Sequence, residues 1–355
     1  MKFYIILALF FRLLQESTFI GTCKYFIYIL LKKKYFKINP RKDNSECLRG
    51  GIGIIGGGNY VASIHLPLLE KINFPICGIT SKGLKSSYIL SKLYKIGIFD
   101  NIDNLIKDKN INSFLIASPH NMHCEHLLKT INKNRYIYLE KPIAIDQKDL
   151  LKIEKEIMPH PNSDKVMLGF NRRFSKSIKK LKSTHWIQKR RSPLEIQYRI
   201  NFGQINNNSL NDKIIGGGRL HGALCHYVDL IYYLVGEKCK NIVAFSTQEN
   251  EFNTINILLK FEDYSIGTIV FTSEGDRYKG TKEEIRITSE GHYASINDFS
   301  KLIIDNKKYF YLKHTYGALE AMNQFYLCKE NNLPTPISIE DGLLATKLTF
   351  AIEES

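Results

Sequence analysis

Three places in this chain carry residues whose types and spacing could do chemistry. The first is Gly51-Ile52-Gly53-Ile54-Ile55-Gly56-Gly57-Gly58-Asn59-Tyr60, an apolar run entering a tight glycine turn. Gly56 lets the chain turn sharply. Gly58 has no Cβ, so a pyrophosphate could approach the backbone there while the next helix offers free N–H groups. Val61, followed by Ala62, stands where a third glycine is usual, so an ordinary strand-to-helix turn is the plainer alternative. The second place is Glu140-Lys141-Pro142, at the end of an apolar strand pattern. Held between an acid and a proline, Lys141 has little freedom. Beside a nicotinamide it could hydrogen-bond a substrate hydroxyl and stabilise the alkoxide-like charge that develops as hydride leaves; a lysine in a surface turn is the alternative. The third is His226, set in the helical pattern Leu224, Tyr227, Leu230, Ile231 and Leu234. Histidine exchanges a proton near neutral pH, and a satisfied core histidine is the alternative. Asp229 could orient it or face solvent.

Strands and helices alternate ahead of and between these places. Helical patterns fall at 63–72, 84–94, from Ile102, up to Asn132 and at 147–157; strand patterns fall at 75–80, 97–99, 112–117, 135–139 and 165–169. That alternation predicts a doubly wound parallel sheet, with ligand-binding polar motifs at the strand C-termini. Ser118-Pro119-His120-Asn121-Met122-His123 is one such motif. After the second strand no Asp or Glu lies between Glu70 and Asp100; Ser81, Lys82 and Lys85 stand there instead. An acid at that point would bind a ribose 2′-hydroxyl, whereas a hydroxyl and a lysine suit a 2′-phosphate, a slight lean toward NADP. From residue 194 the pattern changes to alternating runs at 194–202, 241–247, 254–261, 265–273, 284–289 and 301–304, with a turn expected over Asp305-Asn306-Lys307-Lys308. These predict a second, α+β domain with a large, mostly antiparallel open sheet, closed by helices near 317–331 and 340–353. Arg172, Arg173, Tyr198, Arg199, Asn201 and Arg219 could line a cleft for a polyhydroxylated or anionic substrate.

The chain has 355 residues, enough for two cored domains, and a net charge of +15. The lysines are dispersed and no nucleic-acid motif accompanies them, so a nucleic-acid partner is not expected. Seven cysteines, with no CxxC, read as reduced and mostly buried thiols of a cytoplasmic protein without a metal site. Residues 1–50 concentrate charge: ten Lys and Arg against three acids. Their two apolar runs are shorter than the roughly 20 residues a membrane span needs. This segment could be a helical cap on the main body, a basic membrane-surface anchor acting through residues 1–37, or a stretch without fixed structure. The expected division is an extension at 1–49, a dinucleotide-binding domain at 50–172, and a substrate and oligomerisation domain at 173–355.

Taken together, the glycine turn through Asn59 and Tyr60, the Ser118–His123 loop, Glu140-Lys141-Pro142 and Gly216-Gly217-Gly218-Arg219…Cys225-His226-Tyr227-Val228-Asp229 resemble the Gfo/Idh/MocA family of NAD(P)-dependent oxidoreductases over about residues 51–355. Within the family the chain looks most like members associated with surface-polysaccharide biosynthesis. The resemblance implies a Rossmann domain and an α+β domain, an NAD(P) cofactor and homodimers or homotetramers. It implies hydride transfer at a secondary alcohol or carbonyl of a sugar, polyol or nucleotide sugar. It makes Lys141 catalytic, often with a cis bond to the following proline, and His226 the proton acceptor. Gly56, Gly58, Asn59, Tyr60, Ser81, Lys82, Ser118, Pro119, His120, His123 and Glu140 would border the cofactor, and Arg172, Arg173, Arg219 and Asp229 the substrate. The chain departs from the pattern before His226, where Gly222 and Ala223 stand in place of the usual acid. That leaves two further readings open: a weakly active or inactive cofactor-binding sensor or partner subunit, and a membrane-surface component of a polysaccharide-synthesis complex.

Overall fold

The computed structural model describes residues 18–33, 50–132, 134–203, 212–218, 220–248, 251–276, 280–312 and 316–355. The chain separates into two compact units, Met1–Gly169 with Ala318–Glu340, and Phe170–Gly317 with Asp341–Ser355. The stretch 318–340 therefore returns to the first unit, which a single cut at 172/173 does not contain.

The first unit is built on a six-stranded sheet: β1 (Gly51–Ile55), β2 (Ile76–Thr80), β3 (Gly97–Ile98), β4 (Ile111–Ile116), β5 (Tyr136–Leu139) and β6 (Val166–Leu168). Their order is β3-β2-β1-β4-β5-β6 and every pairing is parallel. Strands covered on both faces need no alternation, which is why Gly-Ile-Gly-Ile-Ile and Tyr-Ile-Tyr-Leu are buried at every residue. Around the sheet run α1 (Phe19–Lys33), α2 (Leu66–Lys71), α3 (Lys85–Tyr94), α4 (Ile102–Lys107), α5 (His123–Ile131) and α6 (Gln147–Lys152). A π-helical turn, Val61–His65, leads into α2, and a second, Ile153–Ile157, extends α6. Asn101 and Asp146 cap α4 and α6 by accepting from the N–H three residues on. Among the described residues no helix is long and apolar enough to cross a membrane.

The second unit carries α7 (Lys176–Lys182), α8 (His185–Gln188), α9 (Lys213–Gly216) and α10 (Cys225–Val235). Its eight-stranded sheet is formed by β7 (Glu195–Asn201), β8 (Cys239–Gln248), β9 (Glu251–Phe261), β10 (Ile266–Thr272), β11 (Glu283–Ser289), β12 (His292–Asn297), β13 (Lys301–Ile304) and β14 (Lys307–Phe310). The order is β14-β13-β12-β11-β7-β10-β9-β8. Only β7 with β10 is parallel; the other pairings are antiparallel. One face is apolar, with Ile196, Tyr198, Ile257, Ile269, Ile285 and Ile296 packed in a core with Tyr227, Val228 and Ile231 of α10. The chain ends with α11 (Ala318–Glu330), in the first unit, and α12 (Ile339–Glu354).

Two strands differ from the sequence expectation. β12 went unassigned, and Lys307-Lys308 begins β14 rather than closing the turn, because this edge strand carries little apolar signal. The cysteines also differ in one respect. Cys23, Cys124, Cys225, Cys239 and Cys328 are free thiols, whereas Cys77 is disulfide-bonded.

Candidate functional site

In the first unit β1, β4 and β5 lie side by side, so the loops after their C-terminal ends are neighbours. The glycine turn follows β1. Gly56 has φ +122°, and a Cβ there would stand 2.3 Å from the Ala117 carbonyl oxygen, so only glycine fits. Its N–H donates to the Thr80 carbonyl at 2.8 Å, tying the turn to the end of β2. A Cβ on Gly57 would press on Ser81 and Ser86, whereas one on Gly58 would meet nothing within 4 Å. The turn is thus braced by its own strands at Gly56 and open at Gly58. Asn59 and Tyr60 are exposed beyond it, and Val61 is buried. After β2 the Ser81 hydroxyl pairs with Ser87, and Lys82 is exposed.

The loop after β4 is held from inside. His123 is fully buried, its Nδ1 lying 2.7 Å from the Pro142 carbonyl and its Nε2 3.0 Å from that of Ser118. The ring therefore ties the Ser118–His123 loop to the turn after β5. Burial lowers its pKa against the pull of those carbonyls. The Ser118 hydroxyl is 2.9 Å from Nδ1 of His126, whose pKa burial lowers to about 4. Pro119 is exposed and His120 half-buried, with its ring 5.4 Å from that of His123.

After β5, Glu140 is buried and its carboxylate lies 2.9 Å from Nε2 of His65. A Cβ on Gly169 would stand 3.1 Å from that carboxylate, so the glycine after β6 makes room for it. Lys141 is half-buried, and its bond to Pro142 is cis.

In the second unit the short turn Asn171–Phe174 carries two buried arginines. Arg172 grips Glu283 with Nε at 2.8 Å and a terminal nitrogen at 2.6 Å, and the Tyr198 hydroxyl donates to the same carboxylate at 2.5 Å. Burial pushes the Glu283 pKa up, but Arg172 outweighs it and holds the carboxyl below its ordinary value. Arg173 grips Asp229 at 3.0 and 2.5 Å and reaches Asp341 at 2.8 Å. Burial lifts the Asp229 carboxyl to about 7 against the pull of Arg173. Both carboxylate oxygens of Asp229 are engaged by Arg173, so this acid is anchored to the Asn171–Phe174 turn. Between residues 220 and 231, His226 is the one residue that is not buried, and its ring lies 6.0 Å from that of Phe170. Gly222 and Ala223 are buried. Of the other cleft candidates, Tyr198 is buried on Glu283, Asn201 donates to the Asp276 carbonyl and Arg199 is exposed. Arg219 lies outside the described residues.

Sequence reasoning had no part for His65, His126, Glu283 or Asp341. His65 left one legible signal: it falls among Val61, Ala62, Leu66 and Leu69, all buried, where a polar side chain needs a partner. Glu283 and Asp341 depend on contacts across long sequence distances, and His126 on a contact with Ser118 eight residues back.

The fold and these motifs have known counterparts. Residues 51–159 match the model of the oxidoreductase family, NAD-binding Rossmann fold. The chain is 23% identical over 327 residues to the myo-inositol 2-dehydrogenase of Thermotoga maritima, covering 86% of this chain and 95% of that one. It is 30% identical over 135 residues to the glucose-6-phosphate 3-dehydrogenase of Bacillus subtilis, 37% of each chain. Among solved structures, an oxidoreductase from Thermotoga maritima superposes with a TM-score of 0.74 at 19% identity, over 86% of this chain and 95% of that one. A levoglucosan dehydrogenase in complex with NADH and L-sorbose does so with a TM-score of 0.73 at 16% identity, over 87% and 96%.

Proposed function

The chain belongs to the Gfo/Idh/MocA family of NAD-binding oxidoreductases, and on that premise we propose that it moves a hydride between a nicotinamide dinucleotide and a secondary alcohol or carbonyl carbon of a sugar, polyol or nucleotide sugar. The observation that carries this reading is the juxtaposition of an open glycine turn after β1 with Lys141 after β5, two strands along the same sheet. The bound dinucleotide would supply the hydride acceptor or donor. The turn at Gly56–Tyr60 would take the pyrophosphate on backbone N–H groups. Ser118–His120 would border the ribose and nicotinamide, with His123 and Glu140 bracing that border from inside. The Lys141 ammonium would polarise the substrate oxygen as charge develops on it. His226 would take the hydroxyl proton during oxidation and return it during reduction. Arg172, Arg173 and Asp229, being engaged with carboxylate or guanidinium partners, would frame the substrate side rather than release their charges to it. Ser81 and Lys82, with no nearby acid, favour NADP(H) over NAD(H).

The test is oxidation of a panel of sugars, inositols and nucleotide sugars with NAD and NADP, run on wild type and Lys141→Met. The reading expects turnover of at least one polyhydroxylated substrate in wild type and its loss in the variant. Dinucleotide binding with no turnover across the panel would favour the sensor reading, to which the lack of an acid at Gly222 and Ala223 already points.

Two association surfaces complete the proposal. Val243, Phe245, Leu258 and Ile266 are exposed apolar residues of β8–β10, fit for a second copy of the chain, so sedimentation should find a dimer or tetramer that Phe245→Asp weakens. On α1, Phe19, Ile20, Ile27 and Leu30 are exposed, as is Lys32, which favours weak contact with an anionic membrane surface. Co-sedimentation with anionic vesicles tests that contact, and protein left in the supernatant removes it. With or without it, the protein is proposed to work in the cytoplasm.

A further inference from the structure

Helix α1 precedes the family-matched stretch, which begins at residue 51, yet it is built into the first unit. Gly21 approaches Pro67 so closely that a Cβ on it would stand 2.4 Å from the proline Cβ. Thr22 and Tyr28 are fully buried. Lys24 pairs with Glu70 at 2.6 Å and lies 4.2 Å from the centroid of the Tyr94 ring. Thr18 caps the helix, its hydroxyl accepting from the Gly21 N–H at 2.9 Å.

This docking delivers one side chain to the glycine turn. The Tyr28 phenol donates to the carbonyl of Gly57 at 3.0 Å, and the phenol oxygen lies 3.3 Å from the Ser86 hydroxyl. The Gly57 carbonyl and the Gly58 N–H belong to one planar trans peptide, so they point in opposite directions. Holding the carbonyl on one side fixes the aim of the N–H on the other. A hydrogen bond to the carbonyl also polarises the peptide and strengthens its N–H as a donor. The space beside Gly58 is open.

We propose that Tyr28 is a positioning residue of the dinucleotide turn: through α1 it presets the Gly58 N–H for the pyrophosphate and raises dinucleotide affinity. The proposal rests on the reading of this turn as the dinucleotide site. It assigns part of the cofactor machinery to a helix upstream of the matched domain.

The test uses full-length protein, titrated with NADPH, NADH, ADP and adenosine. The variants are Tyr28→Phe, which keeps the buried ring and loses only the hydroxyl, and Lys24→Met, which loosens the helix without touching Gly57. Tyr28→Phe should weaken NADPH or NADH and ADP by about fivefold, the effect of one hydrogen bond, while its melting temperature and adenosine affinity stay at wild-type values. Lys24→Met should bind as wild type does. A wild type that binds tightly beside a Tyr28→Phe that binds equally well would overturn the proposal. Equal weakening in both variants would also overturn it, because α1 would then act only as a brace. A wild type that binds no dinucleotide would remove the reading of the turn itself.

Discussion

The strand-end loops of the first unit and the Asn171–Phe174 turn of the second are both dense in polar side chains, and they dispose of them in opposite ways. In the first unit the inner partners are mostly carbonyls, hydroxyls and imidazoles, with a single carboxylate among them: His123 meets two carbonyls, Ser118 meets His126, and His65 meets Glu140. The space beside Gly58 is open, and Lys141 is half-buried. In the second unit the charges face each other. Arg172 closes on Glu283, and Arg173 on Asp229 and Asp341, while His226 of α10 is half-buried. A polar motif in a sequence thus has two physical fates. Where strand ends converge, polar side chains brace the loops and leave backbone open at Gly58; where arginines and carboxylates can meet inside a core, they pair and hold the fold.

Substitutions on the two sides should separate those fates. The largest effect is expected at Lys141. Lys141→Met should lower kcat by about 10³-fold with dinucleotide binding retained, the loss of one stabiliser of developing charge, as single-turnover and titration data would read out. Glu283→Gln should do the reverse in kind. It leaves buried Arg172 without its carboxylate, so chemical denaturation should find about 3 kcal/mol less stability in the second unit. A fall in kcat at unchanged stability would break the comparison. His226→Asn comes next, with kcat down about 10²-fold and the limb of the pH profile that reports this histidine removed, melting temperature unchanged.

The smallest effect concerns His126. Its folded pKa of about 4 lies below the ordinary histidine value, so the folded state binds fewer protons than the unfolded one between those values. Its contribution to stability is complete above about pH 6.5 and falls as pH drops toward about 4. His126→Gln should make the acid-side decline in melting temperature shallower by about 2 °C, and an unchanged decline would mean that other groups set it.

Much of the first unit was legible from sequence because its strands are continuous apolar runs, each ending in punctuation: Gly56 after β1, Ser118-Pro119 after β4, Glu140-Lys141-Pro142 after β5. The same logic found β7, whose alternation marks a sheet with one buried face. It missed β14, where only Tyr309 is half-buried, and the π-helical turns at Val61–His65, Ile153–Ile157 and Leu220–Leu224, where a shift in hydrogen-bond register leaves no compositional trace. Arg172 and Arg173 were visible as candidates, but not their destinations. Glu283 lies 111 residues from Arg172, and Asp341 lies 168 residues from Arg173. Residues 1–50 left three readings open in sequence, and the docking of α1 through Gly21 and Tyr28 supports the helical cap for residues 18–33 alone.

Gly58→Asp asks whether the glycine turn binds a nicotinamide dinucleotide. A Cβ at this position meets no protein atom within 4 Å, so the fold should be kept, while a carboxylate there would oppose a pyrophosphate. The measurement is titration of wild type and variant with NADPH and NADH, following nicotinamide fluorescence. Wild type should bind at least one nucleotide, and the variant should bind it about tenfold or more weakly at an unchanged melting temperature. A wild type that binds neither nucleotide, or a variant that binds as tightly as wild type, would contradict that reading of the turn.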